Sequence, residues 1–187
     1  MPVPLDTETA KKLAELEKDQ RGKTEDKYQN YRNAGITLST LLITFTAGLS
    51  YFLLQSNSSD SLISVAKPFI YIHLALIIAL CVIYQVLQYG GFRLVALTHF
   101  YYLRLITRTI RNETDSDSKD LMDRYSNRSN IYFGGADRIF IVSISVFLGY
   151  IINCFLIYID CGRICYWSIV SVLSLFLGIY LAAELES

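Results

Sequence analysis

The sequence predicts an all-α, polytopic integral membrane protein: four transmembrane helices with helical cytoplasmic segments before and between them. Two observations carry this. Four runs contain no Asp, Glu, Lys or Arg, namely Asn33 to Ser59, Pro68 to Phe92, Ile139 to Ile159 and Ile164 to Ala183. Each is long enough, as a helix, to cross a hydrocarbon core about 30 Å thick. The cations are also unevenly placed: seven Lys and Arg lie in residues 1–33, eight lie between Arg93 and Arg138, and only Lys67 and Arg163 fall elsewhere. That asymmetry predicts both termini and the central segment in the cytoplasm, with two short loops outside.

Residues 1–33 form the first segment and are rich in charge. Asp6 or Thr7 can cap a helix, Ala10, Leu13 and Leu16 make a thin apolar stripe, and Gly22 is expected to interrupt before Thr24 caps a second piece. So narrow a stripe suits a solvated helix laced by i,i+4 charge pairs, or a partner helix. This long polar start lacks the short basic start and early apolar core of a cleavable signal peptide, so the N-terminus is expected to be kept. Gly22-Lys23-Thr24 does not complete a phosphate-binding loop, because position 17 is Glu rather than Gly.

Residues 34–89 form the first transmembrane hairpin. Tyr28, Tyr31, Tyr51 and Phe52 stand where interfacial aromatic anchors belong. Thr37, Thr40, Thr44 and Gly48 share a helical face, which reads as a packing face or a pore lining. An outer loop is expected over Ser56 to Ala66, with Asn57-Ser58-Ser59 matching a glycosylation pattern and Lys67-Pro68 marking the next entry. In the second span His73, Ile77, Cys81, Tyr84 and Gln88 lie on one side. An ionisable group within a span faces protein or water, so His73 is either a functional group or a neutral histidine bonded to a neighbour.

Residues 90–138 form the cytoplasmic segment. Gly90-Gly91 marks a place for the helix to bend on leaving the membrane. Beyond it, Arg93, Arg104, Arg108 and Arg111 fall within about 60° of one another on a helix, opposite Val95, His99, Tyr102 and Ile106. That cationic face can contact anionic lipid, a ligand or a cytoplasmic partner. Residues 112–130 read as a polar connector, without the glycine and terminal glutamate of a calcium loop. Residues 139–187 form the second hairpin and a short cytoplasmic tail. Ser145, Gly149 and Asn153 on one helix and Ser168, Ser171, Gly178 and Ala182 on the other offer two faces for close packing, with Asn153 bonding across.

The chemistry that composition excludes is as informative. Two histidines, His73 and His99, and no paired acids, nucleophile elbow or glycine-rich loop leave no catalytic constellation, so no enzyme and no cofactor is expected. Cys161 and Cys165 are too few for a zinc site; they can pair as a disulfide across the top of the last hairpin or stand as two unpaired residues. With 17 cationic and 17 acidic side chains the net charge is zero, and direct nucleic-acid binding is not expected.

A polar N-terminal helix ending in Tyr28-x-x-Tyr31-Arg32, a transmembrane hairpin, and an aromatic and arginine-rich helix from Phe92-Arg93 through Tyr101-Tyr102-x-Arg104 together resemble the layout of SLATT-type bacterial membrane effectors. The resemblance covers roughly residues 20–112. The extra hairpin departs from two-helix members and is similar in plan to four-helix membrane subunits of anti-phage systems such as Kiwa. What this implies is a homo-oligomeric inner-membrane protein of prokaryotic defence, channel-like or membrane-perturbing, answering a cytoplasmic signal or partner protein. The other reading is a non-conducting anchor or sensor that recruits a cytoplasmic partner.

Overall fold

The computed structural model describes residues 7–55, 60–110, 116–159 and 164–184, and these form four helices. They are α1 (Thr7–Gln55), α2 (Asp60–Ile110), α3 (Ser116–Tyr158) and α4 (Ile164–Glu184). Each contains a stretch long and apolar enough to cross a membrane. Contacts divide the chain into two compact units. Residues 1–34 and 87–133 make unit 1; residues 35–86 and 134–187 make unit 2.

Three expectations about helix ends are corrected. Gly22 does not interrupt α1, which runs unbroken through it; one glycine costs about 1 kcal/mol against alanine, less than restarting a helix costs. The connector expected over 112–130 is helical from Ser116 onward. Its hidden period explains why: Ser118, Leu121, Met122, Tyr125 and Ser129 are buried or half-buried and recur every three or four residues. The loop expected over Ser56 to Ala66 gives way to helix from Asp60 onward, and Pro68 lies inside α2. Only one intrahelical bond is lost there, since proline lacks an N–H.

In unit 2 the four apolar helix segments pack around Ile70, Ile77, Val146, Tyr150 and Trp167, each no more than 2% exposed. His73, Ile77, Cys81 and Tyr84 form the inward stripe of α2. Close packing needs glycine at three points. A Cβ on Gly35 would stand 2.6 Å from the Tyr84 hydroxyl, one on Gly149 would strike Ser174, and one on Gly178 would lie 3.0 Å from the Val142 Cα. These small residues let the helices approach closely, which is the main source of helix association where lipid removes the hydrophobic drive. Large apolar side chains such as Phe45, Phe155, Leu173 and Phe176 face outward, as they would against lipid and would not in water.

Unit 1 is tied by three rings, one from each of its helices. Tyr28 of α1 meets Phe92 of α2 edge-on at 5.3 Å and stacks on Phe133 of α3 at 5.9 Å. Phe92 and Phe133 meet edge-on at 5.5 Å, closing a triad of favoured aromatic geometries. Tyr101 and Tyr125 stack farther along at 5.6 Å. Gly90 and Gly91 serve this packing. Added Cβ atoms there would stand 2.6 Å from the Tyr132 ring and 2.8 Å from the Phe133 ring, and α2 continues through both glycines as helix.

Candidate functional site

Two places gather polar side chains, one in each unit. In unit 2 the centre is Ser171 of α4. Its hydroxyl accepts from Asn153 Nδ2 at 2.9 Å and has one proton to give, to the Trp167 carbonyl at 2.7 Å or to His73 Nε2 at 2.9 Å. The other imidazole nitrogen, Nδ1, is 3.0 Å from the Phe69 carbonyl; a carbonyl can only accept, so Nδ1 carries a proton in this contact. Asn153 Nδ2 also reaches the Trp167 carbonyl at 3.3 Å. Aromatic rings enclose the group, with His73 4.7 Å from Phe69 and 5.7 Å from Tyr150 between ring centroids. Tyr150 in turn shares a 2.6 Å hydrogen bond with Ser50 of α1.

Two buried polar atoms at this centre have no hydrogen-bond partner, Asn153 Oδ1 and Trp167 Nε1. The network thus joins three helices by directional bonds where lipid would satisfy none of them. Its chemistry is that of a structural clasp. Among the described residues, no three His, Cys, Asp or Glu side chains gather as a metal site.

The residues read as one packing or pore face separate into two groups. His73 and Asn153 meet inside unit 2 through Ser171. Thr37, Thr40, Thr44 and Gly48 lie exposed on α1, while Ser39, Thr46 and Ser50 are the buried hydroxyls of that helix. The inward hydroxyls are satisfied within the unit: Thr46 donates to the Leu42 carbonyl, Ser50 to that of Thr46, and Ser39 accepts from Gln85. Thr40 donates to the Ile36 carbonyl on the outward side. Cys161 and the pairing proposed with Cys165 lie outside the described residues, as does Arg111. Arg93 and Arg104 are exposed and Arg108 is half-buried. Cys81 and Cys154 are buried free thiols.

The second place is a groove of about 230 Å³ in unit 1. One wall is a face of α1 bearing Arg21, Glu25, Gln29 and Arg32. The opposite wall is a face of α2 running from Tyr89 to His99, with Phe92, Val95 and Ala96 giving it apolar surface. Sequence reasoning missed this groove. Its residues fall at helical spacing on each helix, but nothing in either stripe shows which residues of the other helix it meets. The chain matches no protein-family model, no curated protein and no solved structure.

Proposed function

We propose that this chain is one subunit of a homo-oligomeric inner-membrane protein, a channel-like or membrane-perturbing effector that answers a cytoplasmic signal or partner in prokaryotic defence. Four membrane-length apolar helices supply the setting, the lysine and arginine asymmetry supplies cytoplasmic termini, and the SLATT-like layout supplies the defence role.

The observation that carries the reading is the split of hydroxyls on α1. Ser39, Thr46 and Ser50 face the chain's own interior, while Thr37, Thr40 and Thr44 with Gly48 face outward. Among the described residues, and beyond the adjoining backbone of α1 itself, no atom lies within 4 Å of a Cβ placed on Gly48. An outward face of glycine and threonine is poor lipid surface but suits a neighbouring helix. The interior of unit 2 is meanwhile occupied by Trp167, Tyr150, Ile77 and Val146, so a conducting path would run between copies.

The test is the mass of the assembly in detergent. Wild type should be a defined oligomer, and Gly48→Leu, placed on an exposed face where an added Cβ is unopposed by another helix, should yield smaller species with Trp167 still buried. A monomeric wild type overturns the proposal. Reconstitution with a cytoplasmic activator then separates the roles, since persistent silence leaves the anchor or sensor. That second reading has its own support. Apart from half-buried Tyr28, every described side chain from Glu8 to Arg32 is exposed, with only local pairs such as Lys12–Glu8 at 3.2 Å and Lys23–Asp19 at 2.7 Å, a surface suited to holding a partner protein.

A further inference from the structure

We infer that the groove of unit 1 binds the phosphate headgroup of an anionic phospholipid from the cytoplasmic leaflet. This goes beyond the proposed oligomer but rests on the reading that the chain spans the membrane with unit 1 at its cytoplasmic surface.

The charge points to an anion. Arg21 and Arg32 stand eleven residues apart, three helical turns, and so come round to one face of α1. Among the described residues neither is paired with a carboxylate, and Glu25 between them is exposed without an ion pair to either. Among the described lining residues, two guanidiniums against one carboxylate leave a net positive wall. Guanidinium is the side chain best matched to phosphate oxygens, which it can grip with two parallel N–H bonds. Gln29 on the same wall and His99 opposite add further N–H donors.

The apolar half points to a lipid rather than a free anion. The wall facing the arginines is built on Phe92, Val95 and Ala96, and Phe92 is locked edge-on against Tyr28 and Phe133. A small inorganic anion would gain nothing from that surface, whereas the glycerol and first methylenes of a phospholipid would cover it. Size agrees: about 230 Å³ lies below the roughly 300–1,000 Å³ typical of pockets for drug-sized ligands. Position agrees as well. Arg32 comes just before the charge-free run that begins at Asn33, and Tyr89 and Phe92 close the run that ends at Phe92, so the Arg32, Tyr89 and Phe92 end of the groove lies at headgroup level on the side where anionic lipid attracts cations, and the Arg21 and His99 end extends away from the bilayer.

The experiment places the full chain in nanodiscs of mixed phosphatidylcholine and phosphatidylglycerol and counts retained lipids by native mass spectrometry. Wild type should retain phosphatidylglycerol selectively. Arg21→Gln with Arg32→Gln should lower that retention about 30-fold, each arginine at an anionic surface being worth roughly a factor of five. Ala96→Phe keeps both charges and fills the groove, and should lower retention as well. Unchanged retention in both variants overturns the site, and so does an equal loss in Arg93→Gln, which changes a cation outside the groove. Glycerol 3-phosphate in large excess should fail to displace the lipid; full displacement overturns the lipid in favour of a soluble phosphate ester. Alkaline carbonate washing of membranes keeps the premise separate. Release of the chain refutes membrane spanning, whereas a retained chain with unaltered lipid selectivity in the variants refutes the groove alone.

Discussion

Gly178→Ala should weaken the contact between α3 and α4 because the obstacle is backbone. The new Cβ would lie 3.0 Å from the Val142 Cα and 2.9 Å from the Ser145 Cβ, where carbon atoms prefer about 3.5–4.0 Å. A side chain could rotate away, but a Cα moves only with its helix, so the two helices must part by roughly a few tenths of an ångström and loosen the contacts beside it. Overpacking of this kind costs about 1–3 kcal/mol. Alanine also gains about 1 kcal/mol of helix propensity over glycine, which the comparison must remove. Gly134→Ala in α3 does so, since among the described residues nothing beyond the adjoining backbone of α3 lies within 4 Å of its Cβ. The propensity gains cancel, and the two variants should differ by the overpacking cost, about 1–3 kcal/mol. Trp167, the chain's single tryptophan and 1% exposed, reports unfolding by its own fluorescence as a denaturing detergent is titrated into mixed micelles. Equal midpoints for Gly178→Ala and Gly134→Ala would refute the reasoning.

The polar clasp makes a second prediction. Ser171→Ala takes the partner from His73 Nε2 and leaves Asn153 Nδ2 only the longer bond to the Trp167 carbonyl, and should cost about 1–3 kcal/mol, the penalty for orphaning a buried polar group; an unchanged midpoint in the same fluorescence titration would show the network carries no stability. For topology, a cysteine replacing exposed Lys119 in intact cells should resist an impermeant thiol reagent, and one replacing Ser58 should react. Labelling of the Lys119 position from outside would reverse the orientation.

The helices were legible because membrane spans announce themselves by the absence of charge: the four charge-free runs each lie largely within one helix. Helix ends were less legible. Gly22 and Gly90-Gly91 look like breaks by propensity, but the pair in α2 is set by the Tyr132 and Phe133 rings of another helix, a tertiary demand that one-dimensional pattern does not contain. The helix at Ser116 was concealed because serine fills two of its inward positions, Ser118 and Ser129, so a hydropathy pattern shows no stripe. His73 and Asn153 stood out singly as costly polar groups in apolar runs. That they meet at Ser171, and that Thr37, Thr40 and Thr44 turn away from them, follows from helix rotation within unit 2. The groove depends on the register of α1 against α2 and was invisible for the same reason.

The filled interior of unit 2 bears on how such a protein could be carried without harm. Trp167, Tyr150, Ile77 and Val146 fill the middle of unit 2, so under the proposed function a solitary copy would offer ions no passage there and leak becomes a collective property. Current would rise as a power of the number of copies per membrane area rather than in proportion to it. Sparse expression would then be silent and nearly free of toxicity, while modest clustering would cross a sharp threshold. A dose series of induction against membrane potential would show that steepness directly.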